Sequence, residues 1–97
     1  MVYHVVSTAN EDEVALENPG RMIFEVEGVV ISNPGTAAAT VTLKDVVGSN
    51  EETLISLSVA AGGKEELPNL RGSKVYGNLV VNSSAAGVEV YVGVKEV

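Results

Sequence analysis

The residue types able to do chemistry are few in this chain, and they are scattered. The one histidine, His4, stands in a short apolar run, Val2-Tyr3-His4-Val5-Val6, and there is no cysteine. Nucleophilic catalysis needs a nucleophile, a base and a group that orients the base. A triad or a thiol–imidazole pair would have to be built here without its usual parts. His4 therefore reads as a strand residue facing solvent or an interface.

The carboxylates cluster as Glu11-Asp12-Glu13, Glu51-Glu52 and Glu65-Glu66, the residue type that glycoside hydrolysis uses in pairs. Adjacent residues on a strand point to opposite faces, so sequence neighbours make poor partners across a cleft. They read as solvated surface. The acidic segment Thr8 to Glu17 lacks the D-x-D-x-D-G order of a calcium loop. Gly62-Gly63-Lys64 has neither the G-x-x-x-x-G-K-[ST] spacing of a phosphate loop nor a helix after it. The expectation is no enzyme, no cofactor and no metal.

What remains is binding surface. Val2, Tyr3, His4 and Val5 in the first strand, with Tyr76 and Tyr91 further on, are the candidate partner interface. Tyrosine supplies contact area at low entropic cost. If the strands carrying Tyr76 and Tyr91 pair, the two rings lie side by side on an outer face; ordinary cross-strand packing is the alternative. Small-residue segments such as Thr36 to Thr40 and Ser83 to Gly87 let a loop or sheet edge lie flat against a partner.

These residues must be positioned by strands. The apolar residues, 45% of the chain, are mostly valine, alanine, leucine and isoleucine, and β-branched side chains suit a pleated surface. The pattern repeats every second residue. Val88, Val90, Val92 and Val94 share one face, with Glu89, Tyr91, Gly93 and Lys95 on the other. Val75, Leu79 and Val81 share a face, as do Val41 and Leu43, and as do Thr53, Ile55, Leu57 and Val59. In Arg21 to Ser32 the phase slips: Met22, Phe24 and Val26 have one parity, Val29 and Ile31 the other. Either Gly28 carries a bulge in one long strand, or Glu27-Gly28 is a tight turn; the bulge is favoured because a turn leaves two very short strands.

Turn signals at Asn33-Pro34-Gly35, Gly48-Ser49-Asn50, Ala61-Gly62-Gly63 and Ala85-Ala86-Gly87 read as a string of hairpins. The fold class expected is all-β: a single antiparallel β-sandwich, jelly-roll or Ig-like, of about seven or eight short strands. A partly open small barrel is the alternative. Residues 1–20 read as an N-terminal strand and a long acidic loop, a candidate arm onto a neighbouring subunit, with a one-turn helix over Glu11 to Leu16 as an option. Residues 21–97 read as the sandwich body.

Charge narrows the partners. Six basic residues against thirteen acidic ones give −7. Such a surface repels phosphate backbones and anionic membranes, so neither nucleic acid nor membrane is expected. The first residues lack the charged start and apolar run of a signal peptide.

The runs Gly28 to Asp45 (GVVISNPGTAAATVTLKD) and Gly77 to Val92 (GNLVVNSSAAGVEVYV) resemble small β-sandwich auxiliary virion proteins of tailed bacteriophages, of the capsid decoration or cement type. The resemblance spans roughly Arg21 to Val94. It implies a structural virion protein made in the host cytoplasm, bound to the major capsid protein on the capsid exterior, as a homo-oligomer (trimer or dimer). It carries over no catalytic residue. A tail or adaptor component, or an Ig-like or carbohydrate-binding adhesion module, is the alternative.

Overall fold

A computed structural model describes residues Met1–Val97. The period-2 pattern resolves into nine strands: β1 (Val2–Val6), β2 (Asp12–Leu16), β3 (Phe24–Ser32), β4 (Ala39–Val47), β5 (Asn50–Val59), β6 (Lys64–Glu66), β7 (Lys74–Val75), β8 (Asn78–Ser83) and β9 (Glu89–Glu96). A single 3-10 turn, Pro68–Leu70, lies between β6 and β7. The strands form two antiparallel sheets. One has the order β1-β9-β3-β6, with β7 also on β3; the other has the order β2-β8-β4-β5. The molecule is the expected β-sandwich.

One apolar face per strand is buried between the sheets. Val88, Val90, Val92 and Val94 are fully buried, and so are Ile31, Val41, Val75, Leu79 and Val81. Burial of apolar area is what holds the sheets together. The phase slip in β3 is a bulge: Val26 pairs with Val94 and Gly28 with Gly93, leaving Glu27 unpaired. Through it Phe24, Val26, Val29 and Ile31 all face the core, whereas Met22, ahead of the strand, is exposed.

Three expectations change. First, Asp12–Leu16 in the acidic stretch is a strand on β8, not loop or helix. A free strand edge supplies the hydrogen bonds that so short a segment cannot make alone. Residues 1–20 thus give an edge strand to each sheet, β1 on β9 and β2 on β8. Second, Thr53 leaves the inward row. Leu43 pairs with Ile55 but Lys44 with Thr53, so Leu54 is bulged and Thr53 is exposed; a bulge inverts facing beyond it. Third, the connections are not a string of hairpins. Only β4–β5 is joined within its sheet by a tight turn, where Gly48 has φ +62° at the glycine position of a two-residue hairpin. Asn33-Pro34-Gly35, Ala61-Gly62-Gly63 and Ala85-Ala86-Gly87 carry the chain from one sheet to the other. Turn residues permit reversal, but they do not say which sheet receives the next strand.

The passage from β7 to β8 is held by a carboxylate. Asp45 lies on the inward row of β4 beyond Val41 and Leu43 and is buried. Its two oxygens accept the Tyr76 N–H (2.9 Å) and the Gly77 N–H (2.8 Å). A Cβ at Gly77 would collide with the Val46 carbonyl. Asp45→Asn leaves one of these N–H groups facing an amide NH2, so we expect a loss of about 2 kcal/mol. Gly77→Ala should cost at least as much. Urea unfolding checks both: the midpoint drops with the slope unchanged.

Candidate functional site

The exposed face of the β1-β9-β3-β6 sheet follows from its register. One row reads His4, Tyr91, Val30, Glu66 across the four strands. The row on one side is Val6, Glu89, Ser32, Lys64, and on the other Val2, Gly93, Gly28. His4 and Tyr91 are directly opposite each other, and their rings stack with centroids 4.3 Å apart at 6°. His4 Nε2 also lies 3.3 Å from Glu89 Oε1. Val2 and Val6 are 73% and 51% exposed. Gly28 and Gly93 leave bare backbone beside the stack, since no side chain rises from either. The face therefore carries a band of valine, aromatic and glycine positions, with the Glu89 carboxylate set against His4.

Next to this band the β3 bulge and the 3-10 turn enclose an open groove of about 350 Å³, lined by Glu27, Gly28, Val30, Glu66, Leu67 and Arg71 among others. A second, more polar hollow of about 250 Å³ sits over Asn18, Arg21, Gly77 and Asn78. Asn18 is buried, and its side chain is engaged with Met22: Nδ2 donates to the carbonyl at 2.6 Å and Oδ1 accepts the N–H at 2.9 Å. No group of three or more His, Asp or Glu residues comes together in metal-binding geometry.

The six residues singled out from sequence divide. Val2, His4 and Tyr91 meet on the exposed face. Val5 is buried and Tyr3 packs against the core, because alternate residues of β1 point inward. Tyr76 is exposed but lies in the link between β7 and β8. The strands of Tyr76 and Tyr91 do not pair: β3 separates β7 from β9, and β8 belongs to the other sheet. Their rings are not neighbours. Sequence reading missed Val6, which shares the facing of His4 two residues along the same strand, and Val30, whose place beside the stack depends on strand pairing. It also missed Asp45, although a charge in the row Val41-x-Leu43-x-Asp45 is a visible signal.

Two charge clusters flank these surfaces. Glu25 bonds Lys74 (2.6 Å) and lies 3.2 Å from Lys95. Hydrogen bonds from Lys74 and then Lys95 hold its carboxyl below the usual value of 4.5. On the other sheet Lys44 bridges Glu51 (2.7 Å) and Asp12 (3.2 Å). Asp12 is lowered from 3.8, chiefly by Asn82 and then Lys44. Lys44 is raised above 10.5, chiefly by Glu51. Each pair has at least one solvent-exposed member, so water screens it and each contributes little.

The signs set a pH window. The lowered carboxyls stabilise fully above their ordinary values, and that contribution is lost as pH falls through their folded-state values. The raised Lys44 stabilises fully below 10.5, and its contribution is lost as pH climbs past that. We expect a melting temperature that declines on both sides of this window. With Lys74 and Lys95 replaced by methionine, the Glu25 carboxyl should titrate closer to 4.5, as read by NMR. Set against known proteins, the chain matches no family model and no curated protein.

Proposed function

We propose that this chain is a non-catalytic binding module, a decoration or cement protein that docks on the outer surface of a phage capsid and stabilises it. The observation that carries the reading is the band of exposed valines and bare glycines around the His4–Tyr91 stack, where Glu89 against His4 is the nearest carboxylate, on a chain whose net charge is −7. A rigid aromatic pair framed by exposed valines and bare glycine backbone suits a flat protein partner, and aromatic anchors at the centre of a contact supply most of its energy. The groove beside the band admits one protruding side chain of that partner.

The resemblance to auxiliary virion proteins supports the same reading. Its two runs, Gly28 to Asp45 and Gly77 to Val92, fall on β3, β4, β8 and β9, the inner strands of both sheets. The likeness thus lies in the scaffold that carries the band. An acidic surface keeps such a protein soluble before assembly and suits a position away from packaged DNA. Repetition over a symmetric shell turns weak contacts into firm attachment.

The test is co-sedimentation of the purified protein with empty capsids of the phage whose genome encodes it. The expected result is pelleting at fixed stoichiometry and capsids that withstand more heat. Tyr91→Ala should weaken binding by about 2 kcal/mol, roughly 30-fold in Kd, while the isolated protein still melts cooperatively. Protein that stays in the supernatant overturns the capsid reading. Binding unchanged by Tyr91→Ala moves the contact to another face.

A further inference from the structure

We infer that β1 is a self-pairing edge: two copies of this chain join their Val2–Val6 strands antiparallel about a two-fold axis at His4. The two sheets then become one continuous sheet of eight strands along the path β6-β3-β9-β1 and back.

The hydrogen-bond parity of β1 leads to this. In an antiparallel ladder, alternate residues direct both backbone groups to one neighbour. Met1 fixes the phase: its ammonium donates to the Val94 carbonyl (3.0 Å), and its carbonyl accepts the Val94 N–H (2.9 Å). At the other end, Ser7 N–H donates to the Val88 carbonyl (2.9 Å) and the Ser7 carbonyl accepts the Gly87 N–H (2.9 Å). Tyr3 and Val5 share this parity and face β9. Val2, His4 and Val6 therefore turn their N–H and C=O groups to the free edge. A second β1 laid with its Val6 opposite Val2, and its His4 opposite His4, satisfies all of these groups at once.

Composition selects a second copy as the occupant. The other three edges are blunted by charge: Asp12 and Glu13 on β2, Glu51 and Glu52 on β5, and Lys64, Glu65 and Glu66 on β6. β1 carries no charged residue, no proline and no bulge. For two chains each at −7, contact along the whole of β2 or β5 draws four carboxylates into one seam, Asp12 and Glu13 or Glu51 and Glu52 from each copy, whereas contact at β1 draws in none and sets valine against valine. The edge-facing residues Val2, His4 and Val6 also read the same in both directions, which is the self-complementarity that a two-fold contact demands. The pairing brings two His4–Tyr91 stacks side by side on one face. It stands apart from the capsid reading, because a dimer that ignores capsids leaves it intact.

The experiment combines light scattering on the full chain with amide hydrogen exchange followed by NMR. The expected result is a dimer mass, with the Val2, His4 and Val6 amides protected. His4→Pro removes no bond to β9, because the His4 N–H faces the free edge, where proline is tolerated. It should halve the mass and expose the Val2 and Val6 amides while the cooperative melt persists. If that variant does not fold, Val2→Lys with Val6→Lys serves, since it sets lysine against lysine across the axis. A monomeric wild-type chain overturns the inference. So does an oligomer whose Val2, His4 and Val6 amides exchange as fast as loop amides, or one whose mass neither variant changes.

Discussion

A chain that changes sheet at most of its connections must satisfy backbone groups that no ladder can reach. Of the eight connections, β4–β5 and β6–β7 stay within a sheet, which leaves six that cross. The five buried polar residues are Ser7, Asn18, Asn33, Asp45 and Ser83, and each is spent on a crossing. Ser7 and Ser83 both donate to the Ala85 carbonyl in the β8–β9 passage. Asn18 holds the β2–β3 passage. Asn33 donates to Ala37, Val59 and Ala60 carbonyls and so binds two passages together. Asp45 holds the β7–β8 link. No buried side-chain nitrogen or oxygen is left without a partner. Unsatisfied, any of them would cost more than a bond is worth.

Around these anchors the core is almost pure aliphatic packing. Valine dominates it, and valine brings a stiff side chain that loses little rotamer freedom on burial. Such a core specifies which face of each strand is inside. The bulges at Glu27 and Leu54, and the one at Ala15 in β2, then correct that facing where the sequence phase slips. The bulge in β3 has a second effect. It opens the rim of the groove beside the band around the His4–Tyr91 stack, so a device that keeps Phe24, Val26, Val29 and Ile31 in the core also shapes the outer surface.

The distribution of charge completes the division of labour. Acids on β2, β5 and β6 keep three edges solvated; Lys44 pairs with Asp12 and Glu51 from two of them, while Lys74 and Lys95 pair with Glu25 on β3. Among the edge strands, β1 alone carries no carboxylate and no lysine or arginine. The candidate contact surface and the candidate pairing edge thus adjoin each other on the same strand, because its outward residues belong to both.

Periodicity alone determined the all-β class, the inward rows on β3, β4, β8 and β9 and the bulge near Gly28, because facing alternates residue by residue whatever the strand pairs with. It also placed His4 and Tyr91 among the contact candidates. The tertiary structure alone decided that β8 and β9 lie in opposite sheets, that Asp12–Leu16 is a strand, and that Tyr76 stands far from the partner chosen for it. It also decided that Val30 lies beside the stack and that the Tyr3 and Val5 side of β1 is the one that faces the core. The reason is physical. A strand's partner is fixed by long-range hydrogen bonding and core packing, and neither is written in the spacing of residues along one segment.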